Sequence, residues 1–315
     1  MNIDLRNEEG LRFLETIPDN SVDLILTDPP YITSRDSGMD KWVKHVAKQD
    51  SKNSENVMSE EQWQNYKTQE EWDVWFDNSK IEEGKRAKKL EKMKISFLKY
   101  GSIYGKKYAV KTDYGSWDSE FTLEKLQLFI NHFYRVLRPG GTCIIFFDIW
   151  KITNLKDMLE AKRYNEKTEK FTTTMFKQIR FIEWIKNNPQ PINSKVNYLT
   201  NCREIALLGV KKSKPTFNSK YDKGIYEYNI ASGKDRFHPT QKSLPLFQEL
   251  IEKHSNEGDL VLDCFAGSAT TAIAAMNTGR NFVGCELDEE YYQKSIKRIE
   301  EKRLTLDAQP VTLQA

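Results

Sequence analysis

Apolar residues fall in short runs of Val, Ile, Leu and Phe, set between longer polar stretches. Six runs stand out: VDLILT (22–27), TCIIFF (142–147), IRFIEWI (179–185), REIALLGV (203–210), DLVLDC (259–264) and NFVGCE (281–286). Runs this short and this rich in branched residues read as buried strands of a mostly parallel sheet. Between several of them apolar residues recur at helical spacing. TLEKLQLFINHFYRVL (122–137) stops at Arg138-Pro139-Gly140-Gly141, and SLPLFQELIEKHS (243–255) and DEEYYQKSIKRIEEKRL (288–304) behave alike. Strands alternating with helices predict an α/β, doubly wound fold.

Residues 32 to about 116 break this pattern, with almost no strand-like alternation and much Lys, Glu, Asn, Ser and Trp. Here Lys80, Lys85, Arg86, Lys88, Lys89, Lys92, Lys94, Lys99, Lys106, Lys107 and Lys111 outnumber Glu82, Glu83 and Glu91 by roughly eight charges. Such a block reads either as a nucleic-acid surface or as a solvated face that keeps an insertion soluble. Trp63, Trp72, Trp75 and Phe76 predict that part of it is ordered, since disordered segments use few aromatics.

Composition narrows the picture less. A chain of 315 residues allows one or two domains, and 38% hydrophobic against 30% charged residues predicts a soluble protein with a polar surface. The net charge of +2 says nothing alone about nucleic acid, because distribution matters more than the sum. MNIDLRNEEG holds no signal-peptide core, and no apolar run is long enough to span a membrane, so a cytoplasmic protein without membrane contact is expected. Cys143, Cys202, Cys264 and Cys285 are far apart and form no C-x-x-C pair. They read as buried, reduced thiols, and no metal site is expected.

Two stretches carry candidate chemistry. In LVLDCFAGSATTAIAA (260–275) a strand runs through a turn with Gly267 and Ser268 into a helix of small residues. That is a setting in which a nucleotide-like ligand meets a helix N-terminus. Gly267 permits close backbone approach, and Ser268 or Thr270 can cap the helix. The turn has neither the G-x-G-x-x-G nor the P-loop spacing. Asp263 at the strand end would repel phosphates and suits a cationic ligand. Glu286, about twenty residues on, suits ribose hydroxyls, or else simply opens a helix. A cation and a ribose together point to S-adenosylmethionine.

The second stretch is LILTDPPYITS (24–34). A residue before proline is pushed to extended geometry, which holds Asp28 at the strand tip. Pro29 has a carbonyl but no N–H, so Asp28 and that carbonyl offer two acceptors with no competing donor. The pair fits an amino group. Accepting its hydrogens would favour a pyramidal nitrogen whose lone pair can attack a methyl sulfonium. Tyr31 can stack on a base, and a base must leave the duplex to reach such a pocket.

DPPY, LRPGG, HPTQKS and LVLDCFAGSATT, in that order, resemble the amino-methylating DNA methyltransferases of the beta arrangement. The resemblance covers residues 1–31 and about 115–304. It implies a Rossmann-like sheet, circularly permuted, with the catalytic motif before the cofactor motif. It places Asp28, Pro29, Pro30 and Tyr31 in catalysis. Asp28, Asp263, Phe265, Ala266, Gly267, Ser268, Thr270 and Glu286 fall among the cofactor contacts. His238, Pro239, Thr240, Gln241 and Lys242 match a motif that helps hold the methionine end. Glu9 stands where the family usually has an Asp near the adenine, Ser243 replaces a proline, and Ala269 replaces a common glycine. YGSWD (114–118) and WIKNNPQP (184–191) resemble stretches around the catalytic face.

The implied activity is methyl transfer from S-adenosylmethionine to the amino group of adenine in double-stranded DNA. Cytosine is the first alternative, where the family more often carries Ser in place of Asp28. RNA, a protein amide, or a DNA-binding protein without catalysis are more distant ones. Residues 32–114 are expected to contact DNA, 209–237 to form a short target-recognition region, and 305–315 a flexible tail. A homodimer and a cognate restriction endonuclease are partners that the family arrangement allows.

Overall fold

Ten strands and nine helices form among the described residues. The strands are β1 (Ile3–Asn7), β2 (Val22–Thr27), β3 (Leu137–Phe147), β4 (Lys162–Asn165), β5 (Lys170–Thr174), β6 (Phe176–Lys186), β7 (Arg203–Lys211), β8 (Ile225–Tyr228), β9 (Leu260–Asp263) and β10 (Asn281–Glu286). The helices are α1 (Gly10–Thr16), α2 (Glu60–Thr68), α3 (Trp72–Asn78), α4 (Glu83–Tyr100), α5 (Leu123–Val136), α6 (Ile152–Leu159), α7 (Leu244–His254), α8 (Thr270–Asn277) and α9 (Glu289–Asp307). The computed structural model describes residues 1–31, 56–68, 72–78, 81–103, 121–165, 170–189, 201–232, 236–238 and 240–307. Lys80, Lys106, Lys107, Lys111, YGSWD (114–118), Gln190, Pro191, Pro239, the Trp75 side chain and residues 308–315 lie outside the described residues. The chain divides into two compact units, Met1–Ile32 with Tyr114–Ala315, and Thr33–Asp113.

The apolar runs make strands because alternate side chains enter two different cores. In β2, Leu24 and Leu26 join one cluster and Ile25 the other. In β3, Ile144 and Phe146 join the first, and Cys143, Ile145 and Phe147 the second. The first core is completed by Leu246, Phe247, Leu250 and Ile251 of α7 and by the alanine-rich α8. Phe13 and Leu14 of α1, and Leu126, Phe129, Ile130 and Phe133 of α5, complete the second. A sheet covered on both faces needs apolar residues at every position, which is why the runs do not alternate with polar residues.

The main sheet has the order β1-β10-β9-β2-β3-β7-β6-β8. Five of its pairings are parallel, and β3–β7 and β6–β7 are antiparallel. REIALLGV and IRFIEWI therefore leave the expected parallel pattern, and an antiparallel pair needs no crossover helix. IRFIEWI is also less buried than its apolar content suggests, with Phe181 exposed. From the centre of the parallel part, β9–α8–β10 runs one way and β2–α5–β3 the other. Beyond the carboxyl ends of β2 and β9 the connections diverge and leave a crevice, the usual ligand position in such sheets.

Local details depart from the sequence reading. LRPGG belongs to β3, with Gly140 at φ +85, where a Cβ would lie 2.7 Å from the Lys214 carbonyl oxygen. Residues 225–228 are a sheet strand, so the 209–237 stretch is partly sheet edge. Residues 305–307 continue α9 instead of starting a flexible tail. Cys143, Cys264 and Cys285 are buried, whereas Cys202, just ahead of β7, is half-buried; all four are free thiols.

In the second unit, Trp63, Met93 and Phe97 form a small core, with Tyr66 stacked on Phe97 at 4.8 Å. Helix α4 ends where Gly101 takes a left-handed φ of 72. Its Met93, Phe97 and Tyr100 are buried, and Lys85, Lys88, Lys89 and Lys92 follow each other at helical spacing on another face. Lys94 pairs with Glu60 at 2.8 Å and Lys85 with Glu82 at 2.6 Å. Lys88, Lys89 and Lys92 have no acidic partner among the described residues.

Phe133 is wholly buried between α5 and the sheet. Phe133→Ala is expected to destabilise the chain by about 3–5 kcal/mol, read as a lower urea midpoint at unchanged slope.

Candidate active site

The two candidate stretches meet at the crevice because β2 and β9 are neighbours in the sheet. Asp263, last residue of β9, is buried, and its Oδ1 accepts from the Thr27 hydroxyl at 2.6 Å and the Phe265 N–H at 3.0 Å. Its Oδ2 accepts from the Thr271 hydroxyl at 2.6 Å. Both oxygens thus hold donors of the chain itself. Asp263 thereby ties the turn to the tip of β2, and its Oδ2 keeps a lone pair beyond the Thr271 hydroxyl. Burial pushes its pKa up against the pull of the two hydroxyls.

The turn that follows has Gly267 at φ +51 and Ala269 at φ +56. Ala269 itself is the residue before α8, and neither Ser268 nor Thr270 caps the helix. Their hydroxyls lie 3.1 Å apart instead. A left-handed Ala costs roughly 1–2 kcal/mol. Full burial of its methyl group offsets about 0.8 kcal/mol of that, so alanine is tolerated where the family favours glycine. The carbonyls of Gly267 and Ser268 are held by Ser295 and Arg298 of α9 at 2.8 and 2.7 Å.

Glu286 ends β10 beside this turn. Its Oε2 accepts from Gly267 N–H at 2.6 Å and its Oε1 from Asp288 N–H at 2.9 Å, which leaves one lone pair on each oxygen for a ligand hydroxyl. Burial pushes its pKa up to about 7. The Ala266 N–H bonds to the Cys285 carbonyl at 3.1 Å, and Phe265 packs on Phe129 at 4.7 Å. Glu9 has a role that its sequence position did not show. It caps α1, accepting from the N–H groups of Leu11 at 2.8 Å and Arg12 at 3.1 Å, and pairs with Lys125 at 3.3 Å.

The segment before α7 reaches both stretches. A Cβ on Gly267 would lie 3.6 Å from the His238 ring, which stands edge-on to Tyr291 at 4.3 Å. Burial, then Lys242, lowers the His238 pKa to about 4, so the ring is neutral. Its Nδ1 accepts from Thr240 N–H at 3.3 Å, and Gln241 Oε1 accepts from Phe237 N–H at 3.3 Å. Ser243 precedes α7 without capping it, and Pro245 sits in the first turn. Lys242 is buried and its Nζ lies 2.8 Å from Asp28 Oδ2.

At the tip of β2, Asp28 Oδ1 and the Tyr31 hydroxyl are buried with no hydrogen-bond partner among the described residues. Pro29 is buried and Pro30 half-buried. The Tyr31 ring meets Phe147 edge-on at 6.3 Å. Burial pushes Asp28 up to about 6, against Lys242, and Glu204 adds to the rise. The Tyr31 phenol is pushed well above its usual range, chiefly by burial and then by Asp28. One carboxylate oxygen is therefore fixed by a lysine, while the other carries no well-aligned hydrogen bond among the described residues, with the Tyr31 phenol beside the same carboxylate.

Sequence reasoning missed three residues that the structure brings into the site, and it held a fourth, Lys186, only as part of the stretch WIKNNPQP (184–191). Thr27 and Thr271 clamp Asp263. Glu204, opposite Trp184 across β6 and β7, also bonds Lys242, and its Oε1 pairs with Lys186 at 2.7 Å. The available signal was an acid at the head of the apolar run REIALLGV and a lysine closing another run. No cluster that could hold a metal ion occurs among the described residues.

Thr27→Val is expected to cost about 1–3 kcal/mol of stability by removing a donor from a buried carboxylate. Thermal unfolding checks this, and calorimetric titration with S-adenosylmethionine is expected to show weaker binding as the turn loosens.

Several known proteins are similar to this chain. Type II methyltransferase M2.DpnII of Streptococcus pneumoniae is 29% identical over 215 residues, 62% of this chain and 75% of that protein. The M1.HpyAVI–SAM complex superposes with a TM-score of 0.53 at 24% identity, covering 94% of this chain and 98% of that one. The PvuII DNA methyltransferase (cytosine-N4-specific) superposes with a TM-score of 0.57 at 14% identity, covering 98% and 94%. The family described as DNA methylase (N6_N4_Mtase) matches residues 22–298, from the first residue of β2 into α9, and the chain belongs to that family.

Proposed function

We propose that this chain methylates the exocyclic amino group of adenine in duplex DNA, using S-adenosylmethionine. The observation that carries the reading is Asp28: Oδ1 is a buried acceptor with no hydrogen bond among the described residues, beside the Asp263 turn, while Lys242 holds Oδ2. S-adenosylmethionine supplies an electrophilic methyl group on a sulfonium. Gly267, Glu286 and His238 frame the turn where it would lie, with Glu286 keeping lone pairs for ribose hydroxyls. Asp28 accepts one amine hydrogen of a flipped-out base and the Pro29 carbonyl the other. The nitrogen lone pair would then be free to take the methyl group, forming N–CH₃ while the S–CH₃ bonding pair would stay on sulfur. The proton then shed by the methylated nitrogen passes to Asp28 and on to solvent.

The fold does not choose the base, since the PvuII enzyme shares it. The reading of adenine rests on Asp28, where the resemblance would put Ser for cytosine. Digestion of methylated DNA to nucleosides tests it: methylcytosine without methyladenine overturns the reading.

Asp28→Ala is expected to lower methyl transfer by about 10²–10⁴-fold while S-adenosylmethionine still binds. Because the carboxyl must be ionised to accept the amine, wild-type kcat/KM is expected to rise with pH through about 6 and level off above it. A flat profile from pH 5 to 8 would count against Asp28 as the acceptor.

Duplex DNA also needs phosphate contacts, and Lys88, Lys89 and Lys92 of α4, without an acidic partner among the described residues, suit them. Replacing all three with Gln is expected to reduce the slope of log affinity against log salt by about 0.9 for each phosphate that the variant no longer neutralises. Fluorescence anisotropy with a labelled duplex checks this, and an unchanged slope would remove α4 from the DNA surface.

A further inference from the structure

Four buried or half-buried side chains of alternating charge run away from the catalytic tip: Asp28, Lys242, Glu204 and Lys186. They come from four places, the tip of β2, the segment before α7, and the strands β7 and β6. Lys242 Nζ is 2.8 Å from Asp28 Oδ2 and bonds Glu204 Oε2, so one ammonium is shared by two carboxylates. The rings of Phe146 and Tyr31 flank that ammonium at 5.3 and 5.7 Å. Glu204 Oε1 pairs with Lys186 at 2.7 Å, and Lys186 lies over the Trp184 ring at 5.4 Å.

A lysine paired with Asp28 alone would direct its whole charge there and leave a weak acceptor. A second carboxylate divides that charge; Lys242 itself keeps that carboxylate ionised, and a second lysine pairs with its other oxygen. We infer that Glu204 is a positioning residue for methyl transfer, with Lys186 as its counterion: it holds Lys242 against Asp28 Oδ2 and shares its charge, so that Oδ1 stays turned to the substrate amine as a strong acceptor. The inference rests on the amine-methylating reading above. No contact of Glu204 with substrate is implied.

The charges agree in sign. Asp28 feels Lys242, which lowers its pKa, and Glu204 and Asp263, which raise it; the Tyr31 phenol beside it is neutral. Burial pushes Glu204 up, but Lys242 and Lys186 hold it below the usual carboxylate range. Burial pulls Lys242 down, and Asp28 with Glu204 more than reverses that. His238, which also faces Lys242, is neutral and adds no charge.

The test uses the full chain and a duplex substrate. Glu204→Gln removes a negative charge, so the rising limb of kcat against pH is expected to move down by half a pH unit or more. Plateau kcat is expected to fall tenfold or more, with KM for DNA and affinity for S-adenosylmethionine within threefold of wild type. Glu204→Asp, which keeps the charge, is expected to return the limb to its wild-type position. Lys186→Gln removes a positive charge and is expected to move the limb the opposite way, to higher pH. A merely structural pair would weaken both variants without opposed shifts, and that outcome, or unmoved limbs, overturns the inference. Carboxyl ¹³C NMR titration of Asp28 reads the same opposed shifts without turnover. A wild-type chain that methylates no DNA would therefore count against the proposed function alone.

Discussion

Asp263 takes one hydroxyl from the tip of β2 and another from the first turn of α8, and that pair of hydrogen bonds fixes where the rest of the site can lie. The acid is buried, so an unmatched oxygen would be costly, and the two threonines remove that cost. Once they do, the glycine turn cannot drift from the strand that ends in Asp28. His238 then has only one place to stand over Gly267, and Lys242, four residues later, is brought to Asp28. The placing of Asp28 beside the glycine turn thus depends on this carboxylate.

Charge at the tip obeys a similar constraint. Burying one ion is prohibitive, and burying a pair is close to neutral only when the remaining valences are satisfied. Lys242 satisfies part of two carboxylates, and Lys186 completes the second. Among the described residues, Asp28 Oδ1 is the carboxylate oxygen of this network left without a hydrogen bond. An orphan acceptor in an otherwise matched network is what a binding site for a donor looks like before the donor arrives.

Much of the fold was legible because buried parallel strands must be apolar at every position. VDLILT and NFVGCE became strands with the bounds read from sequence, and the helix ahead of LRPGG ended one residue early. Short elements were not legible. Strand β1 has polar residues at every second position, and β8, IYEY, is four residues held at an edge by β6. Asp28 and Gly267 could be named because the chemistry demands those residue types at those places. The partners could not. Asp263 reads from sequence as an acid suited to a cationic ligand, and its bonds to the hydroxyls of Thr27 and Thr271 were not legible there. Glu204 and Lys186 are ordinary charged residues at strand ends until three other segments close around them.

Thr27 and Asp263 are 236 residues apart in the chain. At about 5–20 residues per second, on the order of 10–50 s of synthesis separate them. During that time β2 can pair with β3 on one side, but its other edge waits for a strand not yet made. β1 waits longer still, for β10. The centre of the sheet, between β2 and β9, therefore closes only after β3, β6, β7 and β8 have been made. A nascent chain halted before β9 would carry Asp28 and Lys242 beside a strand whose other edge is still open, without the turn that holds Gly267.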